Sequence, residues 1–274
     1  MMGAINVQYP SISSLAEAYG HLQTIHPNWF VVMGKPTGPG WLCGVDLINP
    51  GQEPLCNLLN VLGAQWQTAD RRTLVASFAL RYGWSAGAAI APFLLCRLVP
   101  NVTLENISIK FAGPYHLFEH VALHRAEGMI FSTQYSQNLG TLHTASSLHQ
   151  LRQSLRQTLI QQATPIVEAL HQWSRFSIRA LWGMITSSWG SQFVQIMQQI
   201  GAQEAGLTEA ERFFDGHDMV AQMRPYFYPV THQQGTRIFH RRSACCRYYL
   251  IPHGGYCASC PLIPEEESIA RNRQ

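Results

Sequence analysis

Four of the seven cysteines lie within 16 residues near the end of this 274-residue chain, a far denser grouping than random scatter would give. Cys245 and Cys246 are adjacent, ten residues follow, and then come Cys257, Cys260 and Pro261. A Cys-x-x-Cys spacing is short enough for two thiolates to converge on one metal. Neighbouring side chains of a strand point to opposite faces, so Cys245 and Cys246 can serve one site only from an irregular turn.

The spacing alone leaves three interpretations open. A structural zinc accepts four thiolates, although its usual pattern is two Cys-x2–4-Cys knuckles rather than an adjacent pair. A 2Fe–2S cluster also accepts four thiolates, two on each iron, and tolerates varied spacing. The third interpretation is a buried cysteine pair beside a fortuitous Cys-x-x-Cys, which the clustering disfavours. Charge does not separate zinc from iron–sulfur, because either core with four thiolates carries about −2.

The segment around these cysteines is basic, although the chain as a whole is nearly neutral. Charged residues make up 13% of the chain and the net charge is +3, which predicts no nucleic-acid-binding protein. Residues 1–218 carry 12 basic and 13 acidic side chains, whereas residues 219–264 carry five arginines and no acid. The positive charge is therefore concentrated where the cysteines lie.

The residues around the cysteines resemble the C-terminus of the siderophore ferric-iron reductase family (FhuF-type). The resemblance rests on the four cysteines with Pro261, on Arg241-Arg242 before them, and on Arg247-Tyr248-Tyr249 directly after the adjacent pair. It covers about 25 residues, and the body over roughly 60–235 resembles the family only broadly. The resemblance implies a cytoplasmic protein that holds a 2Fe–2S cluster on four ligands, namely Cys245, Cys246, Cys257 and Cys260.

The resemblance also implies a reaction, the one-electron reduction of siderophore-bound Fe(III) with release of Fe(II). Oxygen donors hold ferrous iron more weakly than ferric iron. Nearby arginines would stabilise the more negative reduced cluster and attract an anionic chelate. The expected substrate-binding residues are therefore Arg237, Arg241, Arg242 and Arg247.

The electron for this reaction must come from elsewhere. The sequence contains neither a Gly-x-Gly-x-x-Gly motif nor a P-loop. We therefore expect an external electron donor, either a ferredoxin or a flavoprotein reductase.

The N-terminal residues and the longest uncharged stretch predict the compartment. No Lys or Arg precedes Lys35, and the first residues contain no long apolar run, so we expect no secretory signal and a cytoplasmic location. The uncharged stretch Tyr82–Cys96 has 15 residues, fewer than the roughly 20 that a membrane-spanning helix needs, and is predicted to be a core segment. Peripheral contact with the inner membrane stays an open alternative.

Two functions of other classes are alternatives to the reductase. One is a zinc-stabilised siderophore-binding protein without redox activity, which the colour of the purified protein would distinguish. The other is a serine hydrolase that uses Ser85, because Gly83-Trp-Ser85-Ala-Gly87 matches the nucleophile elbow. That elbow needs a buried strand before it, whereas Leu74–Tyr82 has a helical composition. The small residues are therefore predicted to pack closely inside a helix.

The organisation predicted for the chain is an α+β fold with a helix-rich body, a small antiparallel sheet and a C-terminal iron–sulfur module. The predicted domains are a chelate-binding body over 1–234, a cysteine module over 235–264 and a mobile tail over 265–274. Hydrophobic periodicity and breaker residues predict the secondary structure. The predicted strands lie within 29–33 and 103–132. The predicted helices lie at about 15–24, 53–65, 73–97 and 145–218, the last region with breaks near Pro165 and Gly190. Capping boxes are predicted at Ser14–Glu17 and Thr208–Glu211.

Overall fold

A computed structural model describes residues 9–26, 30–49, 53–112, 117–131, 140–233 and 235–273. It confirms the α+β class, with more helix than strand. In this described part the helices are α1 Leu15–Ile25, α2 Glu53–Gln65, α3 Arg71–Tyr82, α4 Gly87–Cys96, α5 Leu148–Ser174, α6 Ile178–Gln198, α7 Gln203–Phe213, α8 Met219–Gln222 and α9 Glu265–Arg273. The strands are β1 Val31–Met33, β2 Trp41–Cys43, β3 Leu98–Pro100, β4 Ile107–Ala112, β5 Leu117–Leu123, β6 Gly128–Ile130, β7 Leu142–Thr144, β8 Tyr226–His232 and β9 Gly235–Arg241.

The described strands form three small sheets. Their orders are β1-β5-β4-β2, β3-β6-β7 and β8-β9. β1 pairs with β5, and β6 with β7, in parallel, and the other pairings are antiparallel. Ile107 and Ile109 alternate along β4 and are both fully buried, which is the period-two pattern of a strand with one face on the core. The hairpin β8-β9 spans the domain boundary predicted at residue 234.

α6 lies at the centre of the body and packs against α3, α4, α5 and α7. Its buried residues occupy all sides of the helix, as expected for a helix surrounded by others. Gly190 is inside α6, and a Cβ there would lie 2.5 Å from Cγ of Pro225. The break predicted near Gly190 is therefore wrong, because this glycine serves close packing. Within the described chain, no helix combines the length and the apolar character that crossing a membrane requires.

α5 continues without interruption through Pro165, so the break predicted there is also wrong. A proline inside a helix removes the hydrogen bond to the carbonyl four residues earlier. That residue is Gln161, which is exposed, and water can therefore satisfy its carbonyl. The body that buries the other side of α5 keeps the helix intact.

The single helix predicted over 73–97 is two helices joined by a 3₁₀ turn at Gly83–Ala86. Ser85 lies in this turn between α3 and α4 and is only 2% exposed. The serine-hydrolase alternative is wrong, since its elbow requires a strand before the serine. A Cβ on Gly83 would lie 2.7 Å from the Ser188 Cβ, so the small residues do serve close packing against α6.

The two predicted capping boxes have different outcomes. Ser14 caps α1 by accepting a hydrogen bond from the Glu17 amide at 3.2 Å, although the Glu17 carboxylate accepts from the Ser13 amide instead of closing the box. Thr208 lies inside α7 and donates its hydroxyl to the carbonyl of Glu204, so the second box is wrong. Packing of the α7 face against α6 extends the helix upstream of Thr208.

Most of the tail that is predicted to be mobile, residues 265–273, forms helix α9. The buried Ser268 hydroxyl lies 2.8 Å from that of Tyr228 on β8, and Asn272 donates to the same phenol oxygen. Glu267 and Arg271 form an ion pair one helical turn apart. α9 also has acidic residues in its first turn and basic ones in its last, which complements the helix dipole.

Candidate metal centre

The chain that follows β9 brings the four cysteines together in two loops. Cys245 and Cys246 lie in an irregular turn, as their adjacency requires, and the next residue has a left-handed φ of 60°. Cys257 and Cys260 lie in a second turn, in which the Cys260 amide donates to the Cys257 carbonyl at 3.0 Å. Cys246 and Cys260 are buried, at 6% and 2% exposure, whereas Cys245 and Cys257 are partly exposed. The site therefore has a buried side and an edge near solvent.

The four sulfurs are close enough to interact. The Cys245 and Cys257 thiols donate hydrogen bonds to Cys246, which lowers the pKa of Cys246 and raises the pKa of both donors. Cys260 is near enough for its charge to raise the pKa of Cys245 and Cys257. As placed, the described side chains form no group of three or more His, Cys, Asp or Glu that would hold a metal ion. The convergence of the thiols is thus seen in their hydrogen bonds rather than in a coordination geometry.

Arg242 is the arginine that reaches the thiols. It is 6% exposed, its guanidinium donates to the sulfurs of Cys257 and Cys246, and its amide donates to the carbonyl of Ser259 at 2.9 Å. Burial opposes its charge, but the negative charges of Cys246 and Cys257 raise the pKa of Arg242 above its usual value. Its Nε is buried and has no hydrogen-bond partner among the described residues. A buried cation with a spare N–H among thiols fits a negatively charged cluster with sulfur acceptors.

The other three predicted substrate-binding arginines do not surround the thiols. Arg241 donates to the carbonyls of Cys260, Pro261 and Ile263, so it ties the second cysteine loop to β9. Arg237 is exposed on β9. The remaining one, Arg247, turns toward the body.

Contacts with the body hold the first cysteine loop in place. Arg247 donates to Asp70 at 2.9 Å and to the Thr73 hydroxyl at 3.2 Å, both at the start of α3. The ring of Tyr248 meets Trp66 edge to face, with centroids 5.6 Å apart. The basic segment is therefore not one cationic surface, because most of its guanidinium groups point inward.

A further arginine, Arg81 of α3, belongs to this site and is missed by the sequence analysis. Its guanidinium stacks on the ring of Trp66 at 4.6 Å, and the negative charges of Cys246 and Tyr248 support its own charge. No local spacing signals this residue, since it is distant in sequence from the cysteines. Only the packing of the module on α3 brings it here.

Residues 242–262 match the family model described as the FhuF 2Fe-2S C-terminal domain. This segment is therefore similar to a FhuF-type 2Fe–2S domain, and we call it the FhuF domain. The match starts at Arg242 and includes all four clustered cysteines, and it confirms the resemblance inferred from the sequence. It also decides the cofactor in favour of a 2Fe–2S cluster over zinc. The search of curated proteins found no match to the chain. The assignment of each cysteine of the FhuF domain as a ligand stays a prediction.

Proposed function

We propose that the protein is a ferric siderophore reductase. The observation that supports this is the partly exposed edge of the FhuF domain at Cys245 and Cys257, where a chelate can approach. When bound, a 2Fe–2S cluster supplies one electron to chelated Fe(III), which leaves as the more weakly held Fe(II). Cys245, Cys246, Cys257 and Cys260 would hold this cluster. The buried charge of Arg242 would stabilise the negative charge that the thiolates bring.

A cleft in the body supports the proposal that residues 1–234 bind the chelate. It has a volume of about 640 Å³ and is lined by small and apolar residues together with polar ones, among them Asn60, Gln67 and Arg71. Trp173 forms one wall, and no acidic residue lines the cleft. The cleft adjoins the FhuF domain, because the neighbouring Asp70 contacts Arg247. A cleft of this composition suits a neutral or anionic chelate. Arg71→Gln would then raise the KM for the ferric chelate while leaving the cluster content unchanged.

We also propose that the electron donor is a separate ferredoxin or flavoprotein reductase. The sequence carries no nicotinamide or nucleotide motif, which supports a donor outside this chain. The cytoplasmic location stays a prediction, and peripheral contact with the inner membrane stays the alternative to a freely diffusing protein.

The first experiment is to purify the protein without oxygen and record its spectrum. A red-brown protein that loses absorbance between about 400 and 600 nm on reduction carries the cluster. Colourless protein with stoichiometric zinc would restore the zinc-stabilised alternative and contradict the reductase.

The second experiment tests the reaction itself. Reduced protein is mixed with ferric hydroxamate, catecholate and hydroxycarboxylate complexes while a ferrous chelator traps Fe(II). The expected result is one Fe(II) for each reduced cluster that is reoxidised. Cys257→Ser should abolish the reaction, whereas Cys43→Ser, at a partly exposed cysteine of the body that does not line the cleft around Arg71, should leave it unchanged. Cluster reoxidation without Fe(II) from any of the three classes would refute the proposal.

A further inference from the structure

Arg81 is a partly buried arginine near the end of α3. Its Nη1 donates to the Ser77 carbonyl at 3.2 Å and to the Ser77 hydroxyl, and its guanidinium lies 4.6 Å from the ring centre of Trp66. Its Nε is buried and has no hydrogen-bond partner among the residues that the structure describes. A buried donor without an acceptor costs free energy, so an acceptor supplied by a bound group would favour this arrangement.

The guanidinium lies beside the buried side of the cysteine site. Trp66, on which it stacks, contacts Tyr248, and the Tyr248 amide donates to the sulfur of Cys246. Cys246 belongs to the same buried core as Trp66. Burial lowers the pKa of Arg81 to about 10, against the opposing effect of Cys246 and Tyr248, so the group is charged at neutral pH. Arg242 also donates to Cys246, so this sulfur lies near the buried guanidinium of Arg242 and the partly buried guanidinium of Arg81.

We infer that Arg81 is a positioning residue that sets the reduction potential of the cluster, as a fixed positive charge supplied by the body to the FhuF domain. Adding an electron makes the cluster more negative, and a nearby cation stabilises that state. The effect is strong because the guanidinium is largely removed from water, where Coulomb interactions are less screened. The inference rests on the cluster of the proposed function and is independent of which chelate is reduced.

The test is a redox titration of the purified holoprotein and three variants, followed by the visible spectrum. Arg81→Gln removes the charge at similar size, Arg81→Lys retains it, and Arg72→Gln removes an exposed charge from the same helix. We expect Arg81→Gln to lower the equilibrium constant for reduction of the cluster about tenfold, which corresponds to a reduction potential lower by about 59 mV for one electron. The same equilibrium constant should stay within about threefold of the wild-type value in Arg81→Lys. It should stay within about twofold in Arg72→Gln, because solvent screens the exposed charge of Arg72.

The inference is overturned if Arg81→Gln leaves the potential unchanged, or if Arg81→Lys shifts it as far as Arg81→Gln does. Should Arg81→Gln fail to retain iron and sulfide, Arg81→Lys decides the question. Normal cluster content and potential in Arg81→Lys would support a requirement for the charge, whereas cluster loss from both variants would make Arg81 a structural brace and overturn the inference. Failure of wild-type holoprotein to reduce any ferric chelate would refute the proposed function alone, since the potentials are measured without substrate.

Discussion

Gly183 offers a sharp test of how the body positions the adjacent cysteine pair. A Cβ at this position in α6 would lie 2.6 Å from the Ala244 Cβ, 2.8 Å from Cε of Met223 and 3.0 Å from the Ser243 hydroxyl. Favourable carbon–carbon contacts lie at about 3.5–4.0 Å, so the segment before Cys245 would have to move by about 1 Å. The Ser243 hydroxyl donates to the Met223 carbonyl at 2.7 Å, which resists that movement.

The predicted magnitude for Gly183→Ala combines two effects. Replacing glycine with alanine inside a helix gains about 0.5–1 kcal/mol in the free energy of unfolding. Overpacking of a core contact costs about 1–3 kcal/mol. We therefore expect a net loss of about 1 kcal/mol and a lower cluster content, because the strain falls directly on the loop that carries the cysteine pair.

Gly20→Ala is the matched control, because Gly20 is also inside a helix and no other atom lies within 4 Å of its added Cβ. This variant should gain about 0.5–1 kcal/mol, so the difference between the two variants isolates the overpacking at Gly183. Urea unfolding followed by helical circular dichroism measures the stabilities, and visible absorbance per chain measures the cluster. If Gly183→Ala is as stabilising as Gly20→Ala and retains the full cluster, the close packing of α6 against Ala244 is refuted.

Three further predictions concern the body. Asp70→Asn keeps the α3 cap but breaks the half-exposed ion pair with Arg247, and should cost under about 1 kcal/mol at pH 7. Burial opposes ionisation of Asp70, but its hydrogen bonds lower its pKa. The difference in unfolding free energy between variant and wild type should therefore vanish as pH falls through that lowered value. A difference that is constant with pH would contradict this. Glu209→Gln removes the negative charge and one of the two oxygens that accept 2.8 Å bonds from Arg152, and should cost about 2 kcal/mol at pH 7 in urea unfolding. The pKa of Glu209 is lowered despite its burial, so this stabilisation is fully present above the ordinary Glu pKa and is lost as pH falls through the lowered value. Equal acid sensitivity of variant and wild type would contradict this. Ser85→Ala should leave ferric reduction unchanged, and an esterase activity that disappears in this variant would show that the 3₁₀ turn had been misinterpreted.

The cysteine module is the part of the site that sequence reasoning predicted best. The adjacent pair required an irregular turn, and the structure has one, with a left-handed residue directly after Cys246. The family match falls on the same segment, from Arg242 to residue 262. The turn could be predicted because the four cysteines are close in sequence, so their spacing limits how the chain between them can fold.

The helix boundaries were predicted less well, because packing overrode local signals. Pro165 and Gly190 are helix breakers by intrinsic preference, yet α5 and α6 run through them. Thr208 is a residue type that often caps helices, but it lies inside α7, whose buried face begins before Thr208 at Gly206. Burial of an apolar face contributes more to helix stability than one residue's propensity does.

The sequence by itself placed four cysteines in one short segment, and the resemblance of that segment to the FhuF family indicated a 2Fe–2S cluster. The assignment of these cysteines as its ligands stays a prediction. The sequence also showed a surplus of arginine around them, but not what each arginine does. Only the tertiary structure decided that Arg242 faces the thiols, that Arg247 pairs with Asp70, and that Arg81 of α3 joins the site. The physical reason is that a guanidinium takes the acceptors within its reach, and those acceptors come from segments that only folding brings together.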